Sequence, residues 1–248
     1  MTSITENIVI HKVRYDFEII ANLIKSNSRI LDIGCGNGDL LYFLKTNKNA
    51  DCRGLEISQE MISKCLSRGL SVIHGDANVD LNIYPNNSFD YAILSQTIQA
   101  MINPQKILQE MLKIAKYAIV SLPNFANYKN RFHLMFKGTM PVNKTIPFQW
   151  YETPNIHFCS IRDFENLCIK NNLIIENKFF LTTKHQLISI LGNEIIANFI
   201  ADYGIFLITK KEICATGQEQ FLNNQSVLGK LNQLGLASKT INQKINSK

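Results

Sequence analysis

The residues best suited to chemistry come early in the chain, in the run Asp32-Ile33-Gly34-Cys35-Gly36-Asn37-Gly38. Glycines at alternate positions let the backbone turn sharply and approach a ligand closely, because no Cβ opposes a left-handed conformation or the contact itself. The run stands between Arg29-Ile30-Leu31-Asp32-Ile33, which reads as a buried strand, and Leu40, Leu41, Phe43 and Leu44, which restart at helical spacing. A glycine turn between strand and helix is where open α/β sheets take nucleotide-type ligands. The spacing narrows the choice: GxGxG departs from the dinucleotide GxGxxG, and no Walker lysine is present to hold a triphosphate. Asp32, two residues ahead of Gly34, suits a cationic ligand better than a pyrophosphate, and S-adenosylmethionine carries both an ammonium and a sulfonium. A glycine turn with a purely structural role is the alternative.

Two further carboxylates fall in phase with this turn. Glu56 ends a second strand 18 residues beyond Gly38, where a carboxylate can accept hydrogen bonds from both ribose hydroxyls. A surface glutamate is the plainer reading of the same residue. Asp76 follows a third strand at Gly75, placed either to meet an adenine amine or to cap the next helix. An obvious catalyst is missing. The fourth strand runs into Ser95-Gln96-Thr97-Ile98-Gln99 in place of Asn-Pro-Pro-Tyr, and the fifth ends Ser121-Leu122-Pro123-Asn124 with no nucleophilic cysteine. Methyl transfer by proximity and desolvation remains open, since it needs neither acid nor base.

The elements that must position these residues can be read from periodicity. Phe17, Ile20, Leu23 and Ile24 predict a leading helix that stops near Ser26-Asn27-Ser28. Strands are predicted over Arg29–Ile33, Asp51–Ile57, Leu70–His74, Phe89–Leu94 and Tyr117–Leu122, with two more over Leu173–Leu181 and Tyr203–Thr209. Ser58 is a candidate N-cap, Asn103-Pro104 an N-cap followed by proline at N1, and Ser160 with Asp163 an approximate capping box. Residues 124–159 read as long and irregular. Strands alternating with helices imply an α/β fold with a mostly parallel sheet and helices on both faces, and the two late strands imply an antiparallel addition at one edge.

Composition bounds the function. The 248 residues suffice for one well-buried domain, with 46% hydrophobic residues. No apolar run is long enough for a membrane span, and the first residues do not read as a signal peptide, so a cytoplasmic setting is expected. Cys35, Cys52, Cys65, Cys159, Cys168 and Cys214 form no CxxC pair and read as buried structural thiols, with no metal site expected. The net charge of +6 is uneven. From Lys210 onward six lysines face Glu212 and Glu219, a net +4, which leaves +2 for the rest. This is a basic tail rather than a basic groove, and it argues against nucleic acid as the partner. The expected division is a domain over 1–211 and a loosely ordered basic tail over 212–248, where Leu228, Leu231, Leu234, Ile241 and Ile245 could also line a weak amphipathic helix.

Four segments carry a family resemblance: DIGCGNGDLL, NNSFDYAILSQTIQA, AIVSLPNF and, above all, MPVNKTIPFQWYETPNIHFCSIRDFE. They resemble the MetW family of bacterial methionine biosynthesis proteins over about Arg14 to Lys210. The glycine loop is common to class I methyltransferases; the Ser95–Ala100 and Gln149–His157 blocks are far more specific. The resemblance implies a Rossmann-like, seven-stranded class I methyltransferase fold and association with MetX, a homoserine O-acyltransferase. It implies S-adenosylmethionine (or S-adenosylhomocysteine) as ligand, held by Asp32, Gly34, Cys35, Gly36, Gly38, Glu56, Ile57, Asp76, Ala77 and Ser95, with Gln96 and Thr97 near the mouth. Three readings follow: an accessory protein of the acyltransferase that senses S-adenosylmethionine, a methyltransferase acting on a small molecule, or an RNA methylase helped by the lysine tail. The block Phe148–His157 reads as a recognition surface or active-site cover, or with Trp150 and Phe148 simply packing over the sheet edge, and His157, Arg131 and His133 as structural or as functional.

Overall fold

The computed structural model describes residues 15–183, 187–188 and 194–211. The strands are β1 (Arg29–Ile33), β2 (Asp51–Glu56), β3 (Ser71–His74), β4 (Phe89–Ser95), β5 (Ala115–Pro123), β6 (Leu173–Leu181) and β7 (Tyr203–Lys210). The helices are α1 (Tyr15–Leu23), α2 (Asp39–Lys48), α3 (Gln59–Ser67), α4 (Ala77–Asp80), α5 (Pro104–Ile114), α6 (Tyr128–Lys137), α7 (Ile161–Lys170) and α8 (Glu194–Ile200). The seven strands form one sheet in the order β3-β2-β1-β4-β5-β7-β6. Pairs from β3 through β5 are parallel, while β7 runs antiparallel to both β5 and β6. The antiparallel addition thus lies at one edge, as the two late strands predict, with β7 the reversed strand and β6 outermost.

Alternation along the strands sorts the core into two layers. Leu31, Ile33, Leu94, Val120 and Phe206 face α5 and α7, packing on Ile107, Leu108, Met111, Ile161 and Phe164. Ile30, Ile93, Ile119 and Ile205 face the other way, onto Ile19, Ile20, Leu40 and Leu44 of α1 and α2. A strand buried on both sides must be apolar on both, hence the near-continuous Ala92-Ile93-Leu94 and Ala118-Ile119-Val120.

The capping predictions are met. Ser58 accepts from Met61 N, Asn103 accepts from Lys106 N ahead of Pro104, and Ser160 and Asp163 form a reciprocal capping box. Cys35, Cys65 and Cys168 are buried free thiols, and Cys52 and Cys159 are half-buried. Burial pushes the Cys168 thiol up to about 12, with Glu165 adding to the effect. Residues 124–159 are not wholly irregular, however, because α6 lies within them. Cys214 and the apolar residues proposed for the basic tail lie outside the described residues. Among the described residues no helix is long and apolar enough to cross a membrane.

Candidate functional site

The strand order reverses between β1 and β4, since the chain moves outward through β2 and β3 and then returns to the other side of β1. That reversal opens a crevice beyond the carboxyl ends of the strands, the usual binding place of open α/β sheets. The glycine loop leaves β1 there. Gly34, Gly36 and Gly38 have φ of +68°, +56° and +79°, a region that residues with a Cβ avoid. The reasons for glycine differ along the loop. A Cβ on Gly34 would sit 2.8 Å from Thr97 Cγ2, and one on Gly38 would sit 2.5 Å from Leu70 Cδ1. A Cβ on Gly36 would meet nothing within 4 Å, so this glycine faces open space and is required only by its backbone angle.

Glu56 organises the loop. Its Oε2 accepts from Gly36 N at 2.8 Å, and its Oε1 accepts from Ile57 N at 3.0 Å and Ser58 N at 2.9 Å. The residue is buried despite its charge, and the three backbone donors offset much of its desolvation. It is therefore no ordinary surface glutamate. Asp32 is buried lower on β1, registered between Gly54 and Ile93. The Cys35 thiol is pushed well above its ordinary range, first by burial and then by the charge of Asp32, with Cys65 and Glu56 adding to the effect. Cys65 donates to Gly36 O at 3.2 Å, so these thiols serve as packing and loop support.

On the neighbouring strand Asp76 takes the capping role. Its Oδ1 accepts from both Asn78 N and Asn78 Nδ2 at 2.8 Å, and Asn78 Oδ1 accepts from Ile102 N at 2.9 Å. The two loops after β3 and β4 are thereby tied together. Ala77 is buried at the start of α4, whereas Ile57 is 62% exposed beside Glu56, a large apolar side chain left open at the mouth.

The wall after β4 is strained. Five described residues other than glycine have positive φ, and four of them are asparagines, which tolerate this region; the fifth is Gln96 at +54°. It is locked there by Gln96 N donating to Ser121 O at 2.9 Å and Ser121 Oγ at 3.0 Å, and by Gln96 Nε2 reaching Asp16 of α1 at 3.4 Å. Ser95 Oγ lies 3.3 Å from Ser121 Oγ. Gln99 is buried, accepts at its carbonyl from Ile156 N and His157 N, and leaves its Oε1 without a partner. The segment 148–158 is thus pinned over the end of β4. The His157 ring nitrogen Nε2 lies 3.4 Å from Ile102 O, and Trp150 and Tyr151 pack edge to face on one another while two-thirds exposed.

Sequence reasoning missed a cluster of buried asparagines beyond β5. Asn124 Nδ2 donates to Asn198 O and Ala201 O, both at 2.8 Å. Asn127 Nδ2 donates to Ile200 O at 2.7 Å, Ala201 O at 3.0 Å and Asp202 Oδ1 at 3.1 Å. Asn127 also caps α6 through Lys129 N, and Lys129 Nζ pairs with Asp202 at 3.2 Å. The three-residue spacing of Asn124, Asn127 and Asn130 was the available signal.

The model of the methionine biosynthesis protein MetW matches residues 14–208, more than three-quarters of the chain. The chain belongs to the MetW family. Within that family, it is 35% identical over 174 residues to the bifunctional methionine biosynthesis protein MetXA/MetW of Rhodopirellula baltica, an alignment covering 66% of this chain. It spans only 28% of that relative's length. Solved structures agree on the fold. A SAM-dependent methyltransferase from Thermotoga maritima, described as a possible histamine N-methyltransferase, superposes with TM-score 0.54 at 23% identity, covering 81% of this chain and 91% of the other. An S-adenosylmethionine-dependent methyltransferase from Mesorhizobium loti gives TM-score 0.57 at 14% identity, covering 79% and 98%. The family is described as one of methionine biosynthesis, and the solved structures show a methyltransferase-like fold.

Proposed function

We propose that the chain binds S-adenosylmethionine at the glycine loop and adjusts homoserine O-acyltransferase activity to the level of that ligand, in the cytoplasm. The observation that carries this reading is the relative in which a MetW unit and a MetXA unit share one polypeptide. A fused chain keeps its two units at a high effective concentration, which is useful only if they act together.

The residues at the loop suit the ligand. A carboxylate offers about four lone-pair sites, and Glu56 uses three on backbone amides. One ribose hydroxyl could therefore be accepted as the site stands, and a second on release of Gly36 N–H. The open space at Gly36 would admit a ligand against bare backbone, and Gly34, Cys35 and Gly38 would shape the turn around it. Asp32 would favour the cationic amino-acid end. Exposed Ile57 and small Ala77 would give apolar contact to the base, Asp76 would use its remaining acceptor capacity on the adenine amine, and Ser95 would line the mouth. Bound S-adenosylmethionine supplies an activated methyl group, but a regulatory role needs only that its binding be coupled to the partner.

The test is homoserine acylation by the same organism's acyltransferase, with and without this chain, across a series of S-adenosylmethionine concentrations. A rate that changes with the chain and follows the ligand supports the reading. A flat rate, with S-adenosylhomocysteine accumulating when extracts are supplied, replaces it with a methyltransferase acting on a small molecule.

A further inference from the structure

The exposed surface of α6 and α8 has an arrangement that the ligand site does not explain. On α6, Phe132 and Phe136 stack with centroids 6.0 Å apart and planes within 15°. Tyr128 meets Phe132 edge to face at 6.5 Å, and Phe199 of α8 at 5.7 Å with the rings tilted by 36°. The result is a continuous aromatic ladder from Phe136 to Phe199. Phe136 is 76% exposed and Met135 64%, and Ile195 of α8 is 71% exposed. Helices of soluble proteins normally turn such residues inward, and a contiguous apolar face of this kind marks an interaction surface. The inward side of α6 is held by asparagine: Asn130 is its buried residue, and Asn127 bolts its first turn to the last turn of α8.

The two helices that carry this ladder are braced from beneath. The rings rest on one another, and Asn124 and Asn127 fix both helices with five hydrogen bonds to the 198–202 segment. A surface whose backbone is already braced loses less freedom on association, which favours a specific protein partner. Charge narrows the partner further. Arg131 and Lys137 lie along α6, which carries no carboxylate; Lys129 of the same helix is already paired with Asp202, and Glu194 opens α8. Arg131 also lies over the Phe199 ring at 5.6 Å. The complementary surface is an apolar hollow rimmed by acidic groups.

We propose that the α6–α8 aromatic face is the surface on which the homoserine acyltransferase docks. This rests on the partnership proposed above, itself supported by the fused relative, and adds where the contact is made. The face is joined to the ligand site through β5: Ser121 holds the strained Gln96, and Asn124, three residues on, holds α8.

The test compares the full-length chain with its Phe132→Glu/Phe136→Glu variant. Binding to the purified acyltransferase is measured by calorimetry, alongside S-adenosylmethionine affinity and thermal midpoint. Loss of about 30-fold or more in acyltransferase affinity is expected, the effect of removing central aromatic anchors, with ligand affinity and midpoint unchanged. Phe199→Glu, on the other helix, decides the matter should the double variant fold poorly. Equal binding by wild type and variant overturns the docking surface and leaves the partnership intact. No binding by wild type overturns the partnership itself. Sedimentation showing wild-type dimers that the variant lacks assigns the face to a second copy, and wild-type binding to phosphatidylglycerol vesicles that the variant lacks assigns it to a lipid surface. Either result overturns the proposal.

Discussion

The glycine loop and the α6–α8 pair lie beyond carboxyl ends of the same sheet, yet they are held in opposite ways. At the loop the backbone does the work: three left-handed glycines and one carboxylate that gathers amides from Gly36, Ile57 and Ser58. At α6 and α8 side chains do it, as Asn124 and Asn127 spend their amides on the carbonyls that end α8. The first construction leaves a backbone open to a small ligand. The second leaves an exposed aromatic face on two braced helices. The comparison teaches that exposure alone does not define a site; what supports the exposed group from behind indicates what can bind in front.

The largest expected effect tests the backbone side. Gly38→Ala places a Cβ against Leu70 and Cys65 at a left-handed position, so strain and overpacking together should remove about 4 kcal/mol of unfolding free energy in urea melts. An unchanged midpoint would mean that the loop relaxes freely. Asn127→Ala tests the side-chain construction. It deletes a helix cap and leaves buried carbonyls short of donors, so a loss of about 3 kcal/mol is expected. Ligand affinity should hold within about twofold; a larger loss would show that the two regions are one thermodynamic unit. Glu56→Ala should weaken S-adenosylmethionine binding by about 2 kcal/mol in calorimetry, because polar groups on loop and ligand lose their acceptor. Undiminished affinity would remove Glu56 from the ligand assignment. The smallest effect is Gly36→Ala, at about 1 kcal/mol of stability, since its Cβ meets no atom and only the backbone angle is strained. A loss as large as that at Gly38 would mean that the open space is not open in solution.

The glycine loop was legible in the sequence and the α6–α8 face was not, for a physical reason. The loop announces itself through glycine, and Glu56 follows at a spacing set by one helix and one strand. The strands around them are buried on both faces and read as apolar runs. What spacing could not reveal is that the Glu56 carboxylate spends most of its acceptor capacity on the loop itself. Helix α6 escaped notice because periodicity is read from an apolar face turned toward the core. Here Phe132, Met135 and Phe136 point to solvent and Asn130 points inward, so the usual pattern is inverted. Asp76 was read two ways, as an adenine contact or a cap; it caps α4, and the contact is assigned by proposal.

Gln96 leaves one consequence. Every other described non-glycine residue with positive φ is an asparagine, so this is the place where side-chain type and backbone shape disagree. A glycine there would relieve about 1 kcal/mol and raise the melting temperature by a few degrees. The same exchange would keep the two backbone N–H bonds to Ser121 and remove only the side-chain contact to Asp16 of α1. Position 96 therefore sets a strained backbone against a side-chain tie between the end of β4 and α1, so Gln96→Gly should melt later while that tie is lost.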